Sequence, residues 1–528
     1  MLNTTRGLKG MVTSPHHRAS QAGLNILDAG GTAIEAAVAT AAALAVVYPH
    51  MNSIGGDGFW LIAEPGETPV GIDASGRAAA GATPELYAGL KSIPWRGGLA
   101  ANTVAGTVSG WELALALNAK RGGGMALADI LRDAISLAKG GVVVTNGLAE
   151  TIADKAAELI DLPGFQAIFR PDGAGPAPGD VLRQKALGET LKRLADEGLD
   201  GFYRGGLAED FAVDLADAGS PLTAHDLASH AASQVTPLTV RAGSARLFNL
   251  PPPTQGIASL LILALYDRLA AARLDSVEHL HGLIEATKLA FVLRNGGVGD
   301  PERSLFKPQA LLDDVRALDR MAQEINPDRA APWPQPSSAG DTVWLGVADR
   351  RGQMVSLIQS TYFEFGSGLV LPRTGVTWQN RGCSFSLGQT GPNVLRPGAK
   401  PFHTLNPAMA AFDDGRLMAY GTMGGEGQPQ TQAAIFTRYG FYGQDLQAAV
   451  TAPRWLLGRT WGQDSVTLKL EDRFPRAVID RLRSMGHAVE IVAPFTSLMG
   501  HAGAIVRHAD GGLAGATDPR SDGAVCAR

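Results

Sequence analysis

A proline-rich break followed by a strand that opens on threonine, at Gly340-Asp341-Thr342-Val343-Trp344, constrains this 528-residue chain more than any other stretch. Residues 326–339 (Asn-Pro-Asp-Arg-Ala-Ala-Pro-Trp-Pro-Gln-Pro-Ser-Ser-Ala) resist regular structure, because proline fixes φ and removes a hydrogen-bond donor. They read as a linker or mobile arm. A threonine hydroxyl needs a base before it can act as a nucleophile at neutral pH. Cutting the chain in front of Thr342 would supply one, the α-amino group of Thr342 itself, with an ordinary pKa of about 7.7–8.0. A β-branched residue is equally at home at the start of an ordinary strand, so the junction decides nothing alone.

Charge and composition narrow the function classes. Lys and Arg total 46 against 51 Asp and Glu, a formal charge of −5, and no basic run clusters along the chain. That argues against a nucleic-acid or anionic-membrane surface and for a small partner. Charged residues make up 18% and glycine 65 positions, against about 25% and 7% in ordinary usage; such a chain buries much and turns tightly. Cys383 and Cys526 are the only cysteines, which speaks against a disulfide framework or a Cys-rich metal site and for a reducing, cytoplasmic setting. The first ten residues lack the apolar core of a signal peptide. The apolar run Ala33 to Val47 is shorter than the roughly 20 residues a bilayer needs and carries Glu35, so it reads as a buried helix.

Helical spacing from Ala19 to Ala29 ends at Gly30-Gly31, after which Thr32 is placed to cap the helix running through Val47. A glycine turn, Met51 to Gly58, feeds a strand at Phe59 to Ala63, and Val70 to Asp73 is expected to pair with it. From Leu113 to about Val292 the pattern is mainly helical. Beyond the break, Val343 to Ala348, Met354 to Ser360 and Leu417 to Tyr420 read as strands. Helices and sheets grouped in blocks point to an α+β layered fold rather than an alternating one.

The block Gly340 to Asp349 resembles the cleavage-and-nucleophile segment of the γ-glutamyltransferase family. Seven further segments follow that family's order: Gly10-Met11-Val12, Gly30-Gly31-Thr32 through Ala39, Ile54 to Phe59, Thr103 to Val108, Pro251-Pro252-Pro253-Thr254-Gln255-Gly256, Phe365 to Gly368 and Met423-Gly424-Gly425. Eight segments in order carry weight that a single motif lacks. The resemblance implies a four-layer αββα sandwich of the N-terminal-nucleophile hydrolase type, with two stacked antiparallel sheets. It also implies a proenzyme that cuts itself between Asp341 and Thr342, leaving a large fragment 1–341 and a small fragment 342–528 held together. Neither cofactor nor metal is expected, and further pairing of the processed unit is left open.

Carried over residue by residue, Thr342 becomes the nucleophile and Gly424-Gly425 the backbone pair facing the developing oxyanion. Ser360 falls where the family places a hydroxyl near the nucleophile, and His403-Thr404 where it places two serines lining the pocket. The departures are as telling. The family's arginine for a substrate α-carboxylate lands on Ser75, with Arg77 two residues on; its ammonium-binding acid lands on Ser384 and its asparagine on Tyr362. A buried ammonium without an acid partner is costly, so an α-amino-acid substrate is disfavoured. Arg381 replaces a neutral amide and adds a cation that can hold a carboxylate in two-pronged fashion, while Tyr362 and Trp378 add bulk that would shorten the site. The set Arg381, Ser360, Tyr362, His403, Thr404, Ser384 and Arg77 therefore reads as a pocket for a small anionic amide. A γ-glutamyl hydrolase or transferase, a glutaryl-type acylase and an uncleaved binding protein remain as alternatives.

Overall fold

A computed structural model describes residues 3–269, 273–333, 341–458 and 465–528. Thr32 caps the Ala33–Val47 helix as its sequence predicts. Its hydroxyl accepts the Glu35 N–H at 3.3 Å, and the Glu35 carboxylate accepts the Thr32 N–H at 2.8 Å. Every residue of this helix is buried, the expected fate of a helix that is apolar all round.

The helix lies on the strands Asp341–Asp349 and Met354–Tyr362. Along the first of these, side chains alternate between two layers, as a pleat demands. Val343, Leu345 and Val347 join the cluster under the helix, whereas Trp344 and Ala348 join Met409, Ala419 and Ile505 of a facing sheet. Trp344 fits because the facing sheet has glycine opposite it: a Cβ at Gly421 would lie 2.3 Å from the indole.

Both sheets have seven strands, paired antiparallel throughout. The middle of the first runs Gly10–Ser14, Asp341–Asp349, Met354–Tyr362, Asp57–Ala63; that of the second runs Ala502–Arg507, Leu417–Thr422, Ala408–Phe412, Ala245–Asn249. On the outer face of the second sheet, helices Gly256–Tyr266 and Val277–Gly297 close a cluster with Leu247, Ala410, Met418 and Val506. The result is helix, sheet, sheet, helix: the α+β layering expected. Strands from either side of the Asp341–Thr342 bond interleave, since Gly10–Ser14 sits between Asp341–Asp349 and the C-terminal Ala524–Ala527.

The stretch Leu113 to Val292 is mainly helical, as expected, and also holds strands: Leu238–Ala242 and Ala245–Asn249 form a hairpin in the second sheet and Ser233–Val235 edges the first. Leu238, Val240 and Ala242 are buried in alternation, a period of two too short to stand out among long helical patterns. The expected mobile arm is anchored over 326–333. The Ala330 N–H donates to the Met485 carbonyl at 2.8 Å, and the Ala331 N–H to Glu285 Oε2 at 3.0 Å. The rest of that arm, 334–339, lies outside the described residues. No helix among the described residues is long and apolar enough to cross a membrane.

Candidate active site

Thr342 is fully buried at the end of the gap between the sheets. It shares the parity of Trp344, which turns its side chain into that gap. Strand pairing is irregular here: Asp341 sits opposite Tyr362 but Val343 opposite Gln359, so the facing strand carries one residue more at this point. Bulges of this kind re-aim a side chain next to a site. Gln428 Nε2 donates to Thr342 Oγ1 at 3.3 Å, and Gln428 Oε1 accepts the Asn406 N–H at 3.2 Å.

Gln428 opens the helix Gln428–Phe436, immediately after the glycine loop. Gly424 has φ +113° and Gly425 φ +50°, values that favour glycine because a Cβ would clash with its own backbone. The Gly425 carbonyl accepts Gln255 Nε2 at 2.8 Å, and the same amide nitrogen donates to the Thr404 carbonyl at 2.7 Å. Behind it, Arg294 Nη1 donates to Gln255 Oε1 at 2.7 Å and Arg294 Nη2 to Glu426 Oε2 at 2.6 Å.

Arg381 is 1% exposed and lies in the short turn Arg381–Ser384. Nη1 donates to Thr404 Oγ1 at 3.1 Å, and the guanidinium carbon sits 3.3 Å from the centroid of the Tyr362 ring. Nε and Nη2 have no hydrogen-bond partner among the described residues. Burial pulls its pKa below the ordinary arginine value, with Tyr362 acting the other way. Tyr362 holds a left-handed φ of +85°, costly for an aromatic residue and of the kind that clusters at sites; its N–H donates to Ser360 Oγ at 2.8 Å.

His403 Nε2 lies 3.0 Å from Asp57 Oδ2 and its ring packs edge-on against Phe59. Burial, helped by Arg381, keeps its pKa far below the usual histidine value. A neutral ring that donates Nε2–H to Asp57 carries its lone pair on Nδ1, which is buried and has no hydrogen-bond partner among the described residues. Asp57 also accepts Gly76 N–H, Gly106 N–H and Gln379 Nε2, each at 3.0 Å. Burial raises its pKa to about 6 against these donors.

The structure thus brings Thr342, Gly424, Gly425, Thr404, Arg381 and Tyr362 into one hydrogen-bonded and stacked neighbourhood, with Ser360 attached through Tyr362. It does not bring the rest. Arg77 pairs with Glu302 and donates to the Gly398 carbonyl at 3.0 Å, with its side chain 38% exposed. Ser75 donates to Asp73 at 2.6 Å. Both line a cavity of about 920 Å³ that none of Thr342, Arg381 or Gly425 lines. Ser384 Oγ donates to the Phe402 carbonyl at 3.2 Å, and Trp378 is a core residue whose Nε1 donates to the Thr103 carbonyl at 3.1 Å, so it does not shorten the pocket.

Sequence reasoning did not single out Asp57, Gln255, Arg294, Glu426 and Gln428, whose side chains hydrogen-bond to residues of the candidate site or to one another. Asp57 and Gln255 stood inside quoted motifs, and a charged group within an apolar, glycine-rich run was the available signal. His281, Glu285 and His487 form a group of metal-ligand type, yet it is internally paired: His281 Nδ1 lies 2.9 Å from His487 Nε2, and Glu285 accepts Lys288 Nζ at 2.7 Å.

The family model for gamma-glutamyltranspeptidase matches residues 19–527. The chain belongs to the gamma-glutamyltranspeptidase family. Within it, the chain is 54% identical to the oxamate amidohydrolase proenzyme of Klebsiella pneumoniae, over 98% of each chain. It is 40% identical to a glutathione hydrolase-like proenzyme, YwrD, of Bacillus subtilis, again over 98% of both. Its structure is similar to that of a cephalosporin acylase from Bacillus halodurans, with a TM-score of 0.92 and 34% identity over 100% of this chain and 97% of the other. The stacked sheets are therefore those of family members that open amide bonds.

Proposed function

We propose that the chain is a self-processing amidohydrolase that converts oxamate to oxalate and ammonia, with Thr342 as nucleophile. The reading rests on Arg381, a buried guanidinium with two nitrogens unpartnered among the described residues and no carboxylate in contact there, beside the Thr342 and Gly425 groups. Likeness to an oxamate amidohydrolase proenzyme over nearly the whole chain supports it.

In the first step Thr342 Oγ attacks the Asp341 carbonyl carbon, and the peptide bond becomes an ester on that oxygen. Water opens the ester, freeing fragment 1–341 with an Asp341 carboxylate and leaving an α-amine on Thr342. The interleaved strands keep both fragments in one body. In the second step the amine takes the Oγ proton as the oxygen attacks the oxamate amide carbon. The N–H groups of Gly424 and Gly425 face the oxyanion, and Arg381 grips the neighbouring carboxylate, with Tyr362 stacked on the guanidinium. Collapse expels the amide nitrogen, which leaves as ammonia with the proton held on the amine. Water then releases oxalate from the acyl ester.

Purified protein should run as two fragments beginning at Met1 and Thr342 by intact mass, and should release ammonia from oxamate far faster than the free aniline from a γ-glutamyl-anilide. Brisk glutamyl turnover with none on oxamate would move the substrate to the glutamyl class. A single 55.1 kDa species without turnover would mark an inert binding protein.

A further inference from the structure

One side-chain amide ties the two ends of the proposed pocket together. Gln255 Nε2 donates both to the Gly425 carbonyl, at 2.8 Å, and to the Thr404 carbonyl, at 2.7 Å. Gly425 belongs to the oxyanion end; the Thr404 hydroxyl accepts Arg381 and so belongs to the carboxylate end. Glycine at φ +50° has no side chain to hold that conformation, so an outside pin is needed, and a bond to its carbonyl restrains the very rotation that aims the loop. The pin is itself pinned. Gln255 Oε1 accepts Arg294 Nη1, Arg294 reaches Glu426 with Nη2 and Asn295 Oδ1 with Nε at 3.0 Å, and its guanidinium lies 3.9 Å from the Phe291 ring centroid. Gln255, Arg294 and Glu426 are all 1% exposed or less, so the bonds among these three are shielded from water.

We infer that Gln255, braced by Arg294, is the positioning residue that sets the spacing between the oxyanion loop and the anion-gripping end, and so selects amides whose carboxylate is bonded directly to the reacting carbonyl carbon. Gln255 and Arg294 precede the Asp341–Thr342 bond, whereas Gly425, Thr404 and Glu426 follow it. After processing, the large fragment holds the ruler and the small fragment is measured by it. The inference rests on the proposed function for the identity of the two ends. Misplacing reacting groups by about an ångström costs on the order of 100-fold in rate, and a wider gap penalises a two-ended ligand more than a one-ended one.

The test uses Gln255→Met, close in volume and without the two donors, and Arg294→Lys, which keeps a cation near Glu426 and loses the planar fork. Processed wild type is first assayed on oxamate, acetamide and a γ-glutamyl-anilide, which settles the substrate reading separately. Each variant is then compared with wild type on every amide that wild type hydrolyses, with active sites titrated and melting midpoints recorded. Gln255→Met should lower kcat/KM on a carboxylate-bearing amide about 100-fold and cut the preference over acetamide at least about tenfold, with both fragments present. Arg294→Lys should move the same ratio in the same direction by less. A lower melting midpoint with unchanged kcat/KM per active site, in either variant, overturns the inference, as does an equal loss on all amides. If Gln255→Met fails to process, Arg294→Lys decides by the same ratio.

Discussion

Two buried cations flank His403 and have opposite settings. Lys400, 8% exposed, donates to Asp73 Oδ2 at 2.7 Å, a neutralised pair. Arg381, 1% exposed, has a hydroxyl and the face of Tyr362 but no carboxylate in contact among the described residues. Both cations help to keep the His403 ring neutral. A buried charge left unmatched costs several kcal/mol, and a fold tolerates it where a charged ligand completes it. The contrast separates the two cations: Lys400 is neutralised by Asp73 beside the 920 Å³ cavity, whereas Arg381 is the cation that the proposed function assigns to a substrate anion.

The largest effect expected concerns the Thr342 hydroxyl. Thr342→Ala should leave the precursor whole and reduce ammonia release to background, because the attacking oxygen is gone for cleavage and turnover alike; intact mass and a coupled ammonia assay read both. A variant that processed normally would remove Thr342 from the mechanism. Next come the cations themselves. Arg381→Gln should weaken oxalate binding by roughly 2–5 kcal/mol, measured by titration calorimetry on processed protein, with little change in melting. Lys400→Met should do the reverse, stranding Asp73 and lowering stability by about 3–5 kcal/mol while oxalate affinity holds. Swapped outcomes would erase the distinction between the two.

How far the sequence foretold this arrangement follows from distance along the chain. The capped helix at Thr32 and the strand at Thr342 depend on neighbours within a few positions and were legible. The glycine pair was legible through its resemblance to the family's motif, and the structure adds positive φ values that suit glycine at both positions. Asp57 and His403 are 346 positions apart, and Gln255 and Gly425 170 apart; no local pattern marks such partners. Arg77 shows the converse. It lies three residues beyond the Val70–Ala74 strand, outside the alternation that would turn it inward, and settles on Glu302 at the surface. Arg381 was legible as a charge in place of an amide, while its isolation from carboxylates needed the packed site.

The smallest expected effect tests the neutral histidine between the cations. Burial lowers the pKa of His16 and His279 to about 3 and of His230 and His501 to about 4, and that of His403 further below its usual value. Unfolded histidines bind protons below about pH 6.5 that the folded ones refuse down to pH 3–4, so stability should fall as pH drops through that window. Asp57 acts in the opposite sense. Its folded pKa of about 6 lies above the unfolded value of 3.8, so between these the folded state holds a proton that the unfolded state has lost, which offsets part of the acid loss. Asp57→Asn removes that offset. Urea midpoints between pH 7 and pH 4.5 should therefore decline more steeply for Asp57→Asn than for wild type, by up to about 1.4 kcal/mol per pH unit for the one proton. An identical slope would mean that Asp57 stays ionised across the window, that the His403 ring is held by a full carboxylate, and that Arg381 is less alone than its contacts indicate.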